Sequence, residues 1–170
     1  ALVSVESLME DLDIAENSAN TILEIKEGLI GPARQRNLES VSLSDMIADT
    51  VASMGLPAGV VEMGWSEDMP PAHVDARQVE QVFDNLVKNA WEALKHAHTP
   101  NPKIYVVGCR DDEDPNFVLV MVKDNGPGIP KEIQEKVWVS FFTTKGGSGG
   151  TGLGLSAVMQ IVDQHGGRIW

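Results

Sequence analysis

Cysteine and basic residues are scarce in this chain, and both scarcities exclude classes of protein. The single cysteine, Cys109, excludes an intrachain disulfide and a zinc site with four cysteine ligands. Thirteen basic residues stand against 25 acidic ones, which gives a formal net charge of −12. Nucleic-acid binding depends on Lys and Arg that neutralise phosphates, so we expect no general nucleic-acid partner. No apolar run approaches the roughly 20 residues that span a bilayer.

The length allows one domain and a short additional element. The chain has 170 residues, and 42% of them are hydrophobic, which is enough for a buried core. It does not begin with Met, its first ten residues show no secretory signal, and it stops abruptly at Trp170. We therefore expect a cytoplasmic piece of a longer protein, and this prediction leaves open a membrane anchor elsewhere in that protein.

Residues 1–31 are predicted to form one long helix. Apolar residues recur at near-heptad spacing, which is typical of a helix that packs along another helix; they are Leu8, Leu12, Ala15, Ala19, Ile22 and Leu29. Gly31 and Pro32 end the pattern. Because so narrow a stripe cannot stabilise an isolated helix, this helix needs a partner. Two arrangements stay open: packing on its own domain, or one arm of a dimeric helix bundle.

The rest of the sequence divides into a polar linker over residues 32–42 and a domain over residues 43–170. The predicted elements follow an α+β order: a helix over 43–54, a strand over 60–65, a helix over 76–95, strands over 103–110 and 117–123, a short helix over 131–137 and a last helix over 153–164. Asp75 and Gln78 form an approximate capping box for the long middle helix. Gly166-Gly167 is expected to stop the last helix.

The predicted helix over residues 76–95 carries a polar stripe. Gln81, Asn85 and Asn89 are spaced by four residues and Glu92 follows three later, so they share one face. An amide oxygen can bind a hard cation such as Mg²⁺, and the amide NH₂ can donate to a phosphate. The alternative is an ordinary solvated face, although Asn in mid-helix disfavours the helix and calls for a reason.

A second candidate site, Asp124 to Pro130, directly follows an apolar strand. Gly126 and Gly128 permit a close approach of the backbone to a flat ligand. Asp124 is placed to accept a hydrogen bond from an exocyclic amine such as that of adenine. An ordinary Asn-Gly turn is the alternative for this loop.

A third candidate site begins at Lys145 and contains six glycines in the ten residues Lys145–Gly154. Its last amides and the start of the following helix suit an anion, with Lys145 as a cation at the other end. The segment is not a Walker loop, because the Gly-Lys-Ser/Thr ending is absent, and no βαβ unit surrounds it as in a dinucleotide fold. The alternative is a flexible loop without a ligand.

The order and spacing of these motifs resemble the catalytic ATP-binding domain of sensor histidine kinases. The segments similar to its N box, first glycine box, F box and second glycine box are Asn85-Leu-Val-Lys-Asn89-Ala, Asp124-Asn-Gly-Pro-Gly128, Phe141-Phe-Thr-Thr-Lys145 and Gly150-Thr-Gly-Leu-Gly-Leu155. The resemblance implies the Bergerat ATP-binding fold of the GHKL group. That is an α+β, two-layer α/β sandwich, here preceded by a long N-terminal helix. More loosely, residues 1–31 resemble the family's second dimerisation helix. Because the family usually continues beyond such a segment as 166–170, we expect a C-terminal truncation.

The resemblance also implies a site for ATP and Mg²⁺. Asp124 would bond the adenine amine, Asn89 would ligate the metal with Asn85 beside it, and residues 146–150 would form a closing lid. Phe141 and Phe142 would be core residues that anchor this lid. The implied ATP-binding residues are Asn85, Lys88, Asn89, Asp124, Gly126, Gly128, Ile129, Thr144, Lys145, Gly150, Thr151, Gly152, Leu153, Gly154 and Leu155.

The implied activity is that of an ATP-dependent protein histidine kinase in a two-component phosphorelay. It would transfer the γ-phosphoryl group to a histidine of the dimerisation domain, for relay to a response regulator, with the full-length protein as a homodimer. Asn85 stands where ATP-hydrolysing relatives carry a glutamate base, which predicts slow hydrolysis. Two alternatives stay open: a regulatory or chaperone-like nucleotide-binding ATPase module without kinase activity, and a coiled-coil interaction fragment.

No histidine of the chain matches the family's phosphoacceptor, so no catalytic residue is predicted within the chain itself. His73 falls in a predicted loop, His96 and His98 follow a helix end, and His165 closes the last helix. We predict that all four are surface or capping residues.

Overall fold

The computed structural model describes residues 5–30, 35–145 and 150–170. In chain order the elements are α1 (Val5–Ile30), β1 (Glu39–Val41), α2 (Leu43–Ser53), β2 (Val61–Trp65), β3 (Ala72–Val74), α3 (Ala76–His96), β4 (Ile104–Arg110), β5 (Val118–Asp124) and α4 (Gly154–Gln164). Two 3₁₀ turns, Lys131–Ile133 and Lys136–Trp138, lie between β5 and α4. In the described parts of the chain, no helix is both long and apolar enough to cross a bilayer.

A mixed three-stranded sheet with the order β2-β4-β5 forms one layer. β2 runs parallel to β4, with Val61 opposite Ile104, and β4 runs antiparallel to β5, with Ile104 opposite Asp124. Helices α2 and α3 pack on one face of this sheet. The predicted α+β, two-layer arrangement is therefore confirmed.

Helix α3 is central because it contributes to both hydrophobic clusters. Val87 and Leu94 pack with α2 and with Ile104 and Val106 of β4, and all four are at most 2% exposed. Val82 packs against α4, together with its Val158 and Ile161. The amphipathic stripe seen in the sequence thus fixes α3 between the sheet and α4, and the polar stripe faces away from both clusters.

Helix α1 leaves most of its apolar stripe exposed. Leu12 and Ile22 are 68% and 66% exposed, and Leu29 is 54% exposed. Near its end the helix meets the start of α4, where an added Cβ at Gly28 would lie 2.7 Å from the Leu153 Cβ. The helix therefore packs on its own domain at one place and presents an unpartnered stripe elsewhere.

Three details of the sequence-based prediction were wrong. Part of the predicted linker forms β1, which pairs with β3, a strand that was not predicted. His73 lies on β3 rather than in a loop. The short helix predicted over 131–137 is two separate 3₁₀ turns, because a segment of seven residues is too short for α-helical hydrogen bonds to propagate.

Asp75 caps α3 and joins it to two other parts of the chain. Its Oδ1 accepts the Gln78 N–H at 3.1 Å, and its Oδ2 accepts the Asn37 N–H at 2.6 Å. Its own N–H donates to Nε2 of His165 at 3.0 Å, at the end of α4. Burial favours the neutral acid, but the N–H donors of Asn37 and Gln78 outweigh it and hold the pKa of Asp75 below its usual value.

Replacing Asp75 with Ala is expected to lower the free energy of unfolding at pH 7 by about 1–2 kcal/mol, the usual cost of a lost N-cap. Because the pKa of Asp75 is lower in the folded state, its carboxylate stabilises the fold fully at pH values above 3.8, the ordinary pKa of the unfolded chain. This stabilisation is lost as the pH falls below that value and through the folded-state pKa. Urea unfolding measured from pH 7 downward should show a constant gap between wild type and variant that narrows only below about pH 4. If the difference in unfolding free energy between wild type and variant already narrows between pH 7 and pH 6, a group other than the Asp75 carboxylate is responsible for its pH dependence.

Candidate functional site

The polar stripe of α3 meets the start of α4. Asn85 donates from Nδ2 to the Gln81 carbonyl at 2.9 Å, which fixes the orientation of its amide. An added Cβ at Gly154 would lie 2.8 Å from the Asn85 Oδ1 and 3.7 Å from the Asn89 Nδ2. The two asparagines therefore face the first turn of α4, with no side chain at Gly154 between them.

The first turn of α4 provides positive potential at the same place. N–H groups in the first turn of a helix have no partner within the helix, and the helix dipole adds a partial positive charge there. Leu153, which precedes α4, is 2% exposed and anchors this end. Its N–H lies 3.4 Å from the Thr151 Oγ1. An anion near the asparagines would face these amides.

Asp124 is the last residue of β5 and is held by the loop that follows. Its Oδ1 accepts the Gly126 N–H at 2.8 Å. An added Cβ at Gly126 would lie 2.6 Å from that oxygen and 3.3 Å from the Leu94 Cδ2, so a larger residue here would displace the Asp124 carboxylate. Within the described residues, the other carboxylate oxygen of Asp124 has no hydrogen-bond donor, and it remains available to a ligand.

The predicted F box and second glycine box are joined through their backbones. The Phe141 N–H donates to the Gly152 carbonyl at 2.8 Å. Gly152 has a φ of +68°, and an added Cβ there would lie 2.5 Å from the Phe141 carbonyl carbon. The prediction that Phe141 is a core residue was wrong: it is 67% exposed, because its own φ of +67° turns the chain outward, while Phe142 is half-buried.

Lys145 ends the described part of this segment and forms an ion pair with Glu92 of α3. Its backbone N–H donates to the Thr143 Oγ1 at 3.1 Å. The lid predicted over 146–150 falls, apart from Gly150, outside the described residues. Glu92 was seen on the polar stripe but was not predicted as a site residue, and its three-residue spacing from Asn89 was the available signal.

These groups line one open cleft of about 2250 Å³. This volume exceeds the roughly 300–1,000 Å³ of a typical small-molecule site, because the cleft extends beneath α1 to residues such as Ser18 and Thr21. The cleft brings together most of the predicted ATP-binding residues: Asn85, Lys88, Asn89, Gly128, Ile129, Thr144, Lys145, Gly150, Thr151, Gly152, Gly154 and Leu155. Asp124, Gly126 and Leu153 are not part of its lining.

The four histidines lie outside any helix that resembles a phosphoacceptor helix. His73, His96 and His98 are exposed, and His96 is the last residue of α3, at the rim of the cleft. His165 is the C-cap of α4 and its Nδ1 lies 2.8 Å from the Ile161 carbonyl. Helix α1 contains no histidine.

A family model described as "Histidine kinase-, DNA gyrase B-, and HSP90-like ATPase" matches residues 74–170, more than half of the chain. The chain belongs to this ATPase family. All the predicted site residues fall within the matched range, and the resemblance to the ATP-binding domain of sensor histidine kinases is confirmed.

Sensor kinases are among the relatives of this ATPase-family chain. It is 32% identical to sensor kinase CckA of Brucella abortus over 96% of its own length and 19% of that protein. It is 31% identical to the sensory histidine kinase/phosphatase NtrB of Vibrio alginolyticus, over 96% of its length and 48% of that protein. The chain thus spans half or less of the length of these two relatives.

Solved structures show the same fold. The nucleotide-free catalytic domain of histidine kinase ThkA superimposes with a TM-score of 0.62 at 31% identity, over 79% of this chain and 86% of that one. Full-length ShkA in complex with AMPPNP gives a TM-score of 0.70 at 19% identity, over 96% of this chain and 35% of that one. The ShkA likeness concerns the fold alone and includes the long helix.

Proposed function

We propose that this chain is the ATP-binding catalytic portion of a two-component sensor histidine kinase. The observation that carries the proposal is the convergence of Asn85 and Asn89 with the start of α4 in one cleft, beside the loop that follows Asp124. The matched ATPase family and the relatives named sensor kinases support it. In this proposal residues 1–31 are the second dimerisation helix, 32–42 the linker and 43–170 the catalytic domain.

In this proposal the phosphates of ATP lie in the cleft at the start of α4, and the base lies beside the cleft, at the loop that follows Asp124. The free oxygen of Asp124 accepts a hydrogen bond from the adenine amine, while its other oxygen stays on the Gly126 N–H. Gly128 and Ile129 lie along the base, and the amides from Thr151 to Leu155 face the triphosphate. Lys88, Thr144 and Lys145 supply further donors from the walls.

The donor set fits a magnesium ion that arrives with the nucleotide. In the described residues, no group of three or more His, Cys, Asp or Glu side chains could hold a metal by itself. Amide oxygens are hard donors, and Mg²⁺ is commonly held by one or two protein oxygens together with substrate phosphates. The space left by the missing side chain of Gly154 lies directly beside the Asn85 and Asn89 amides. The Asn85 Oδ1 and the Asn89 Nδ2 border this space. In this proposal a half-turn of the Asn89 amide brings its Oδ1 there, where it would hold the ion, and the ion would neutralise phosphate charge when bound.

The residues of the cleft favour transfer of a phosphoryl group over hydrolysis. A neutral amide cannot take a proton from water, and Asn85 is already engaged with the Gln81 carbonyl. The chain's contribution to transfer is then to position the triphosphate and to stabilise its charge. The acceptor histidine would come from the dimerisation domain, and a response regulator would receive the group next. ThkA, a relative in fold, has been solved in complex with the response regulator TrrA.

The exposed stripe of α1 supports a homodimer through dimerisation helices in the full-length protein. Leu12, Ile22 and Leu29 lie on the stripe and are each more than half exposed. Burying such side chains between helices stabilises a bundle, since each contributes about 1.5–3 kcal/mol when fully buried. A partner helix would provide this burial.

Incubation with γ-labelled ATP and a separate dimerisation domain that carries a phosphoacceptor histidine tests this proposal. We expect acid-labile label on the added domain and none on this chain, because His96, the described histidine that borders the cleft, is exposed at its rim rather than held in line with the triphosphate. A dimerisation domain with that histidine replaced by alanine is the control and should stay unlabelled. Release of inorganic phosphate without transfer would favour the ATPase-module alternative. Label on His73, His96, His98 or His165 would place the acceptor in this chain.

A further inference from the structure

The ion pair between Glu92 and Lys145 lies inside the cleft rather than on the outer surface. Glu92 is on α3, one turn beyond Asn89, and Lys145 precedes the glycine-rich segment. Their side chains are 29% and 26% exposed, and both line the cleft together with Asn89 and Gly150. A cation in the proposed phosphate region is thus held by a carboxylate of the protein.

The backbone around Lys145 is fixed by other contacts. The Thr143 Oγ1 accepts the Lys145 N–H, and an added Cβ at Gly150 would lie 2.8 Å from that oxygen and 3.4 Å from the Lys145 Cβ. Gly152 is bonded to Phe141 in addition. An ion pair with this much solvent contact contributes little to stability. The pair can therefore be broken by a ligand at little cost to the fold.

We propose that Glu92 competes with nucleotide phosphate for Lys145. A carboxylate and a phosphate oxygen both accept hydrogen bonds from an ammonium group, and they attract it by the same charge interaction. When ATP binds, the Lys145 ammonium exchanges the Glu92 carboxylate for a phosphate oxygen, and Glu92 turns to solvent. Glu92 is then a positioning residue that holds Lys145 ready and lowers the affinity for ligands that carry phosphates. This inference rests on the proposed ATP site.

A double-mutant cycle separates competition for Lys145 from general repulsion between Glu92 and phosphates. If Glu92 acts through Lys145, its removal has no effect once Lys145 is also replaced. If Glu92 merely repels phosphates, its removal raises the affinity in either background. Glu80→Gln is the matched control, because Glu80 lies on the same helix, is exposed at the same cleft and carries the same charge.

The experiment is calorimetric titration of ATP and adenosine into the folded full chain, for wild type, Glu92→Gln, Lys145→Gln, the double variant and Glu80→Gln. We expect Glu92→Gln to bind ATP up to about fivefold more tightly than wild type, as the loss of a partly exposed ion pair worth at most about 1 kcal/mol allows. Adenosine, which has no phosphate, should bind all five proteins equally. Lys145→Gln should bind ATP more weakly, and adding Glu92→Gln to it should change nothing.

Three results would overturn the inference while leaving the ATP site intact. The first is weaker ATP binding by Glu92→Gln, which would indicate a direct or metal-mediated contact of Glu92 with ATP. The second is a gain in ATP affinity in Glu92→Gln that is no larger than the gain in Glu80→Gln. The third is an equal gain in ATP affinity when Glu92→Gln is added to Lys145→Gln. A wild-type chain that binds neither ATP nor adenosine would overturn the proposed function and this inference with it. Circular dichroism of each variant confirms that the compared proteins are folded.

Discussion

Asp124→Asn is expected to weaken ATP binding by roughly 5- to 150-fold, the effect of 1–3 kcal/mol for a mismatched buried hydrogen bond. The structure explains why the variant cannot adapt. One carboxylate oxygen is held by the Gly126 N–H at 2.8 Å, and the other is the acceptor for the adenine amine. In either orientation the new amide places an NH₂ group against one of these two donors. Calorimetric titration measures the loss directly.

Adenosine should lose as much affinity as ATP in this variant, because the contact is to the base. Asp112→Asn is the control, because Asp112 is exposed in the loop between β4 and β5 and its replacement removes the same charge. This variant should bind ATP and adenosine as tightly as wild type. Equal ATP affinities for wild type and Asp124→Asn would show that Asp124 does not contact the base. A loss seen with ATP alone would instead place Asp124 near the phosphates.

Gly152→Ala is expected to reduce ATP affinity at least tenfold, at about 1.4 kcal/mol for each factor of ten, and to lower the melting temperature by several degrees. Two costs add. A left-handed φ costs a residue with a Cβ about 1–2 kcal/mol, and Gly152 has a φ of +68°. The Cβ would also lie 2.5 Å and 2.6 Å from backbone atoms of Phe141 and Phe142, which no side-chain rotation can relieve. The segment that ends in Lys145 would therefore separate from the start of α4.

Gly59→Ala separates the two costs. Gly59 has a similar φ of +78°, but nothing lies within 4 Å of an added Cβ. The Gly59→Ala variant should therefore show a smaller drop in melting temperature than Gly152→Ala, measured by thermal unfolding. Its ATP affinity, measured by calorimetry, should equal that of wild type. If the two variants are equal in both measurements, the close contact between Gly152 and Phe141 has no role in the site.

The elements with strong local patterns could be predicted from the sequence. Helix α3 has an apolar stripe, and Asp75 caps it where its sequence position indicated. Strands β4 and β5 are regular apolar runs joined by an acidic loop, and both lie where they were predicted. Strands β1 and β3 have three residues each and pair across 35 positions, Glu39 with Val74, so no local pattern identifies either of them.

Most of the residues that line the cleft could be predicted from the sequence, but their contacts could not. Motif order was enough to bring Asn85, Asn89 and Gly154 together. The pairing of Glu92 with Lys145 could not be predicted, because it depends on how the segment after the 3₁₀ turns folds back onto α3. The exposed position of Phe141 depends on one positive φ, which the residue type does not indicate.

The parallel pairing of β2 with β4 limits the order in which this domain can fold. Strands β4 and β5 are joined by a short loop, and their hairpin can form with a small loss of chain entropy. β2 reaches β4 only across the long connection that contains β3 and all of α3, so this pairing closes a much larger loop. Burial of Val87 and Leu94 against β4 offsets that cost. The helix that carries the asparagines is therefore placed in the same event that completes the sheet, and a chain without a complete sheet has no assembled cleft.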